Sequence, residues 1–575
     1  MTHYLGLGKT LFNSSACLVK PGSNGARPEV ELVLSERITR KKASGIWPEQ
    51  ALRLLQKDFS SSLRIAENRD VLKPSLKEDA LNRAMPFYDY LQREGLERFS
   101  QKFNSELEYV THHRAHAYAA LMMSPFRKSI ILVMDGAGSN SADFSPEGEE
   151  IQKFSPASLK SDLAAFEEYS VFLQDEGSLQ CVEKGWQSFT KSSRVSGQEF
   201  SSGLGMLYEK SAEYIFNSKR AAGKVMGLAA FGKPTRIEDR EVFLNQLNWE
   251  LSFQGDSKKS WESSGYFSVY SDVAASVQQN FEETYLSLAQ RLRVKFPKYE
   301  NLIVTGGCAL NCVTNMKLVR AGIFSEIYSP PFPGDECIGL GSASYLYFEK
   351  DRNPFQPLEQ EQQGGYFGPR SSIPEDQAVE NLFREFEIVK PGSIAQYTAR
   401  VLADGHVVGW FQGRSESGPR ALGNRSILAR PDRPGLKNYL NQHIKFREGF
   451  RPYGCSALHE KAAEYFDVPV GFNNPYMSFS PKTRPEYLAQ LAEVTHVDGT
   501  SRMQTVRKGQ NPLFHSLIDE FGKQTGLFCL LNTSLNVMGE PIAESISDVK
   551  RLLEETPIYG IAVGNYFIRR TVSNG

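Results

Sequence analysis

The chain has 575 residues, which is too long for one hydrophobic core, so two or more domains are expected. Its 66 Lys and Arg against 67 Asp and Glu give a formal net charge of −1, which provides no overall basic field, so no nucleic-acid partner is expected. A hydrophobic content of 40% with 23% charged residues is typical of a globular protein.

The N-terminus and the cysteines bear on the compartment. The first residues lack the basic and apolar segments of a signal peptide, and no apolar run reaches transmembrane length, so a cytoplasmic protein without a membrane partner is expected. The 7 cysteines are odd in number and scattered, which favours reduced thiols over a disulfide framework. Cys308 and Cys312 have no second pair beside them, so they are predicted to be buried small hydrophobes rather than metal ligands.

The first hundred residues begin with short apolar runs. Residues 4–7, 16–19 and 30–34 are predicted strands, and residues 8–15 form a turn of small residues between the first two. Actin- and sugar-kinase-like folds approach phosphates with the backbone N–H groups of such a turn, although ordinary hairpins share the pattern. Residues 51–59 and 87–99 are predicted helices in a region that indicates no particular chemistry.

A histidine pair followed by an aspartate indicates a metal site. His112 and His116 are four residues apart, which on a helix places both imidazoles on one face; His113 is the alternative partner for His116. Asp135 ends an apolar run predicted to be a buried strand, and carboxylates there face the ligand crevice of an open α/β sheet. Asp335, at a glycine-rich helix entry, offers a further carboxylate. This donor set suits a divalent transition metal better than magnesium or calcium. The alternative is a histidine pair that binds no metal and is exposed or hydrogen-bonded within the protein.

Glycine-rich turns recur through the first half of the chain. One is predicted at residues 223–229 around Lys224, and the predicted strand 301–305 enters another at Gly306 and Gly307. Paired glycines at a strand end let the backbone lie against a flat ring or a phosphate. Lys224 suits an anionic nucleotide, or it is a surface lysine beside a packing glycine. The recurrence predicts a two-lobed α/β domain with a ligand between its lobes. Other predictions here are a polar meander or insertion at 145–194, a loop at 188–202, and helices beginning at 202 and spanning 281–295.

The last third of the chain is rich in arginine. Residues 353–367 are a predicted linker between a domain at 1–352 and an α/β domain at 368–575. Arginines recur there among glycines and strand ends, in segments 413–427, 445–452 and 496–502, and Asn532 and Ser534 follow another predicted strand. Arginine grips phosphate with a flat fork of donors and keeps its charge, so the pattern favours a small phosphorylated substrate. A solvated basic face and a polynucleotide groove fit the pattern less well, since a groove should interleave exposed aromatics.

These motifs resemble the O-carbamoyltransferases of the NodU/CmcH family. The resemblance rests on the histidine pair, the Asp-Gly-x-Gly turn at 135–138, the Gly-Asp segment at 334–335 and long C-terminal motifs such as Lys-x-Arg-Glu-x-Phe-Arg-Pro at 445–452. It implies an actin/sugar-kinase-like (ASKHA) first domain, and a second domain similar to YrdC that makes carbamoyl adenylate from carbamoyl phosphate and ATP. A hydroxyl of a small natural product would then accept the carbamoyl group.

The resemblance also implies roles for individual residues. The metal, held by His112, His116, Asp135 and Asp335, is typically iron(II), although the donors admit other divalent transition metals, and magnesium would accompany ATP. Nucleotide contacts are expected at Gly136, Gly138, Lys224, Gly306, Gly307 and Asn311. Carbamoyl phosphate contacts are expected at Lys445, Arg447, Arg451, Arg502, Asn532 and Ser534. Lys445, Arg447 and Arg502 are also assigned to catalysis, and Arg414, Arg420 and Arg425 are triphosphate or structural partners.

One departure from the family concerns the acceptor side. The turn that usually reads His-Asp-x-Ser has Phe12 at the His position and Asn13 at the Asp position, so the expected general base is missing. Either Asn13 orients the acceptor or a base comes from elsewhere. The acceptor itself and a family-type homodimer stay open. The alternative functions are a transferase of the tRNA threonylcarbamoyl type and an actin-like nucleotide-binding regulator without catalysis.

Overall fold

The structure, a computed structural model, describes residues 1–10, 13–23, 26–42, 48–68, 105, 107–141, 165–192, 199–370 and 375–571. The chain divides into two compact units, Met1–Thr39 with Ala43–Leu358, and Arg40–Lys42 with Glu359–Gly575. This division lies inside the stretch 353–367. The predicted helix 87–99 and Phe12 lie outside the described residues. Within the described ranges, no helix is both long and apolar enough to cross a bilayer.

The N-terminal strands form the first sheet of the first unit. They are β1 (His3–Lys9), β2 (Ser14–Lys20), β3 (Glu29–Leu34), β4 (Leu63–Asn68) and β5 (Leu107–Val110). Their order is β3-β2-β1-β4-β5; β1 pairs antiparallel with β2 and β2 with β3, while β1 pairs parallel with β4 and β4 with β5. Leu5 and Leu7 are two residues apart, so they share one face of β1, and both are fully buried in the core of this sheet.

A second sheet repeats this topology. Its strands are β6 (Lys128–Met134), β7 (Ala165–Asp175), β8 (Ser178–Ser188), β11 (Asn301–Thr305) and β12 (Glu326–Tyr328); β9 (Thr190–Lys191) and β10 (Glu199–Phe200) form a separate pair. The order is β12-β11-β6-β7-β8, with an antiparallel meander on one side of β6 and parallel strands on the other. Two sheets of one topology are what the two lobes of an actin/sugar-kinase-like domain require, so the fold class predicted for the first domain is confirmed.

Helices surround these sheets. They are α1 (Ser35–Thr39), α2 (Glu49–Leu55), α3 (His112–Met122), α4 (Leu204–Phe216), α5 (Ala222–Ala229), α6 (Arg240–Gln246), α7 (Lys258–Glu262), α8 (Phe267–Lys295), α9 (Cys312–Arg320) and α10 (Ile338–Tyr345). The predicted glycine-rich turn at 223–229 is wrong, because these residues form α5. Val225 and Leu228, three apart on one face of α5, are fully buried, and this burial outweighs the low helix propensity of the glycines.

The second unit contains one mixed sheet. Its strands are β13 (Glu387–Val389), β14 (Val408–Phe411), β15 (Arg425–Ala429), β16 (Gly454–Leu458), β17 (Arg502–Val506), β18 (Cys529–Ser534), β19 (Gly560–Val563) and β20 (Tyr566–Arg569), in the order β13-β20-β19-β14-β15-β18-β16-β17. Its helices are α11 (Asp376–Leu382), α12 (Ile394–Ala403), α13 (Leu436–Tyr439), α14 (Ala462–Tyr465), α15 (Pro512–Thr525) and α16 (Ile546–Glu555). The boundaries of α15 follow from the sequence: Asn511 caps its start, Pro512 is its first residue, and Gly526 ends it in a left-handed conformation.

Candidate metal centre and candidate anion site

Two imidazoles and two carboxylates converge in the first unit. His112 and His116 lie on α3, Asp135 directly follows β6, and Asp335 begins the 3-10 turn Asp335–Cys337. The Nε2 atom of His116 lies 3.0 Å from Asp135 Oδ2 and 3.6 Å from Asp335 Oδ1. The Nε2 atom of His112 lies 3.3 Å and 3.4 Å from the same two oxygens. The structure thus brings together all four residues predicted as metal ligands.

The spacing of these donors fits one metal ion. The four donor atoms lie within 4.8 Å of one another, and the two Nε2 atoms are 3.2 Å apart. A metal about 2.1 Å from each donor would separate neighbouring donors by roughly 3.0 Å in octahedral and 3.4 Å in tetrahedral geometry. Two nitrogens and two oxygens are a donor set that transition metals accept. The residues present therefore fit a divalent transition metal.

Strand pairing explains how Asp135 meets the other groups. β6 and β11 are parallel, and Val133 pairs with Thr305, so Asp135 and the Gly306–Gly307 turn leave the sheet at the same edge. A Cβ on Gly307 would lie 2.8 Å from Asp135 Oδ1. Gly306 has a φ of +87°, and its N–H donates to the carbonyl of Pro333 at 2.8 Å, which holds the segment leading to Asp335.

The electrostatics of the cluster favour charged groups despite burial. Burial raises the pKa of Asp135, but hydrogen bonds from His112 and His116 hold that pKa well below its usual value. Burial opposes the charge on Asp335 as well, and His112 nevertheless keeps its pKa low. Burial would lower the pKa of His116, yet Cys337 and both carboxylates raise it well above its usual value. A proton on His116 thus offsets part of the carboxylate charge, and a divalent cation would replace that proton.

His112, and not His113, lies with His116 at the candidate metal centre. His113 turns away from the carboxylates of the cluster, and its Nδ1 lies 2.9 Å from the hydroxyl oxygen of Ser170. The side chain is fully buried, and burial lowers the pKa of His113 well below its usual value. His113 is therefore a neutral core histidine.

Two residues near the centre were missed by sequence reasoning. The Sγ atom of Cys337 lies 3.2 Å from His116 Nδ1, on the side of the ring away from the carboxylates. Glu209 on α4 faces the turn after Asp135, since a Cβ on Gly136 would lie 2.4 Å from its Oε1. Burial and then Asp135 raise the pKa of Glu209 to about 7. Cys337 follows Asp335 by two residues, a signal that the sequence did contain; nothing in the sequence links Glu209 to Asp135.

The positions predicted to contact nucleotide divide into two groups. Gly136, Gly306 and Gly307 lie beside Asp135, at the edge of the second sheet. Asn311 is buried and engaged within the protein: its Oδ1 accepts the N–H of Thr314 and caps α9, while its Nδ2 donates to Tyr208. Gly138 packs against His113 and Glu167. The ammonium of Lys224, on α5, lies 5.0 Å from the ring centre of Phe216.

Asn13 belongs to a turn that contacts the helix after Asp335. The backbone of Asn13 pairs with Thr10, since Thr10 N–H donates to the Asn13 carbonyl at 2.9 Å. In the same hairpin, the hydroxyl of Ser15 accepts the N–H of Gly339 at 3.2 Å, at the start of α10. The turn that carries Asn13 therefore packs on the helix that follows Asp335.

Cationic side chains gather in the second unit. Across the sheet, Gly454 pairs with Arg502 on one side and with Asn532 on the other, so these two residues flank one glycine. Arg447 is buried and Arg451 is half-buried, and the positive charge of Arg502 contributes to lowering the pKa of both. Burial lowers the pKa of Lys445 well below its usual value and the pKa of Arg447 to about 10. Crowded, desolvated cations of this kind are stabilised by an anion.

Lys445 and Arg447 also donate hydrogen bonds within the protein. Lys445 Nζ donates to the backbone and side chains of Ser534 and Asn536, at 2.6–3.3 Å. Arg447 donates to Asn441 and to the Pro452 carbonyl, and its guanidinium lies 4.1 Å from the ring centre of Tyr453. These contacts fix the direction of the Lys445 and Arg447 side chains before any substrate binds.

The arginines of the 413–427 segment have structural partners. Arg425 is fully buried, donates to the carbonyls of Gln412, Gly413 and Asn424, and stacks on Phe411. Arg414 donates to the carbonyls of Phe367 and Gly368. Of the two roles predicted for these arginines, the structure supports the structural one for Arg414 and Arg425.

Comparison with known proteins identifies the family. The sequence profile "Carbamoyltransferase N-terminus" matches residues 85–344, and "Carbamoyltransferase C-terminus" matches residues 399–570. Nodulation protein NolO of Bradyrhizobium diazoefficiens is 33% identical over 80% of this chain and 79% of its own length. The chain belongs to the carbamoyltransferase family. It is accordingly a transferase enzyme.

Two further relatives have different lengths and names. Nodulation protein NolNO of Sinorhizobium fredii is 32% identical over 83% of this chain, which spans 66% of that protein. The 3'-hydroxymethylcephem-O-carbamoyltransferase of Streptomyces clavuligerus is 31% identical over 61% of this chain and 65% of its own length. This carbamoyltransferase therefore has relatives named for O-carbamoyl transfer.

Proposed function

We propose that this carbamoyltransferase makes carbamoyl adenylate from carbamoyl phosphate and ATP in its second unit. Its first unit then transfers the carbamoyl group to a hydroxyl of a small natural product. The observation that carries the proposal is the four-donor cluster of His112, His116, Asp135 and Asp335 in a chain of this family. The named activity of the cephem relative supports a small hydroxylated acceptor.

In the second unit, the buried cations support the activation step. Carbamoyl phosphate takes up one water and releases phosphate to give carbamate, and a carbamate oxygen then attacks the α-phosphorus of ATP. Pyrophosphate leaves, and carbamoyl adenylate forms. Arg447, Arg451 and Arg502 would bind the phosphate oxygens and offset the charge that develops as phosphorus is attacked, with magnesium on the triphosphate. Asn532, whose Oδ1 is buried without a hydrogen bond among the described residues, offers an acceptor for the carbamoyl amine.

In the first unit, the chain's own residues would hold and orient the adenylate. The four donors would hold a divalent ion such as iron(II), which supplies Lewis-acid polarisation of the phosphate when bound. The glycines beside Asp135 leave space at the edge of the sheet for backbone to approach the adenylate closely. Asn13, on the turn that packs against α10, would orient the acceptor hydroxyl as it attacks the carbamoyl carbon. The bond between the carbamoyl carbon and the adenylate phosphate then breaks, AMP leaves, and the hydroxyl proton passes to solvent.

Isotope exchange between pyrophosphate and ATP tests the first step. Exchange should appear only with carbamoyl phosphate, and it should need no acceptor and no tRNA. A nucleotide-binding regulator would show no exchange, and a tRNA-modifying transferase would need tRNA to consume the adenylate. A screen of hydroxylated metabolites for the mass gain of one carbamoyl group then identifies the acceptor.

A further inference from the structure

A buried group of polar side chains lies beside the candidate metal centre without being part of it. Lys184 on β8 donates a short hydrogen bond to Glu167 on β7, and both side chains are fully buried. Lys184 also donates to the hydroxyl of Ser170 at 3.1 Å. None of the three residues belongs to the metal donor set or to the cationic cluster of Lys445, Arg447, Arg451 and Arg502.

Glu167 holds the loop that follows Asp135. Its Oε2 accepts the N–H of Ser139 at 3.0 Å, its carbonyl accepts the N–H of Gly138 at 2.9 Å, and its own N–H donates to the Ser139 carbonyl at 3.1 Å. The fit is tight, because a Cβ on Gly138 would lie 2.7 Å from Glu167 Oε2. Both the backbone and the carboxylate of Glu167 therefore fix residues 138 and 139.

The same loop also holds the start of the histidine helix. The hydroxyl of Ser139 accepts the N–H of His112, the first residue of α3, at 2.8 Å. Asp135 and His112 are therefore connected through the loop 136–139, in which Ser139 accepts from His112 and is itself held by Glu167. On the neighbouring strand, Gln187 donates to the carbonyl of Gly136 at 2.8 Å and holds the other end of the loop.

Physical chemistry indicates why a charged pair would be kept here. Removing two charges from water costs more than packing apolar side chains of the same size, so a buried ion pair seldom adds stability. We propose that the Glu167–Lys184 pair positions the candidate metal centre, by fixing the loop 136–139 and hence the separation of Asp135 and His112. This inference rests on the proposed metal-dependent transfer.

Cobalt(II) titration of the whole chain, followed by its visible absorbance, tests the pair. Lys184→Met removes the ammonium while keeping the length of the side chain. Since residues that orient metal ligands contribute about 10- to 100-fold to metal affinity, the cobalt dissociation constant should rise by that factor. Exchange of pyrophosphate into ATP should stay at the wild-type rate, because the anion site is built from the second unit. Ser139→Ala removes only the acceptor of the His112 N–H and should give a smaller rise.

Gln174→Met is the matched control. Gln174 lies on the same strand as Glu167, near its other end, is fully buried, and accepts hydrogen bonds from Ser124 and Ser129. It should lower the thermal midpoint as Lys184→Met does, yet leave the cobalt dissociation constant within about threefold of wild type, since the two sites share no partner.

Each other outcome decides against the inference. Wild-type protein that binds no cobalt overturns the metal centre and this inference with it. Wild-type binding with unchanged affinity in Lys184→Met overturns the inference alone, and if that variant does not fold, unchanged affinity in Ser139→Ala does so. Equal weakening by Gln174→Met would assign the effect to general loss of stability.

Discussion

The two candidate sites of this carbamoyltransferase differ in how they handle buried charge. In the first unit, imidazoles and carboxylates face one another at 3.0–3.6 Å, so each carboxylate lies beside two imidazole nitrogens. In the second unit, Lys445, Arg447, Arg451 and Arg502 lie together, and the carboxylate of Glu448 lies 3.6 Å from Arg451. The first arrangement offers nitrogen and carboxylate donors to a cation, whereas the second offers positive charge to an anion.

We expect the strongest loss of activity from a substitution at the candidate metal centre of the first unit. His116→Ala removes one metal donor, so we expect carbamoyl transfer to fall by about 10³-fold, since electrostatic and metal assistance contribute several kcal/mol. Pyrophosphate exchange should be retained. Metal content by mass spectrometry, measured beside the transfer rate, checks the cause. His3→Ala, which changes a histidine that contacts the Asp58 carbonyl, is the control; equal loss in both variants would contradict the assignment.

A substitution in the cationic cluster of the second unit should impair only the activation step. Arg502→Ala should lower carbamoyl phosphate-dependent pyrophosphate exchange by about 10²-fold, because one guanidinium that offsets developing charge is lost. Metal content should not change. Arg433→Ala makes the same change of charge at an exposed residue whose guanidinium contacts the Gly405 carbonyl, and it should leave exchange intact. An unaffected exchange rate in Arg502→Ala would separate the arginine cluster from the activation step.

A smaller loss of metal affinity is expected from substitution of Cys337, the partner of His116 in the first unit. Cys337→Ala removes the partner of His116 Nδ1, so we expect metal affinity to fall by about 10-fold. Cys337→Ser keeps a hydrogen-bonding atom near the ring and should recover most of the affinity. Cobalt titration of the two variants provides the measurement; equal affinities would show that the sulfur does not orient the imidazole.

The smallest effect concerns pH. In metal-free protein, Glu209 has a pKa of about 7, above its unfolded value, so the folded state binds more protons than the unfolded state between about pH 4.5 and 7. The contribution of this group to the free energy of unfolding is therefore largest at low pH and is lost as pH rises to 7. Glu209→Gln should reduce the change in the free energy of unfolding between pH 5 and pH 7 by about 1 kcal/mol. The effect is small because Glu209 is partly exposed and solvent weakens it. Urea unfolding at pH 5 and pH 7 measures it.

Local patterns in the sequence were enough to find the four residues of the candidate metal centre. The spacing of His112 and His116 needs only helix geometry, and Asp135 follows an apolar run that had to end at the sheet edge. Strands β1, β2, β3, β6 and β11 and the start of α4 follow from apolar runs in the same way, whereas β4, β5 and β12 were not predicted. Residues 223–229 show where local pattern fails: their glycines suggested a turn, but burial of Val225 and Leu228 stabilises a helix.

The sequence alone thus determined the α/β class, the family and the four candidate metal ligands that the fold brings together, because each depends on spacing along the chain. The tertiary structure decided what depends on contact between distant segments. It placed His112 rather than His113 at the centre, set Cys337 behind His116, and engaged Arg425 with backbone carbonyls. Which atoms a buried side chain meets is fixed by strand pairing and packing across hundreds of residues, and no local spacing encodes that.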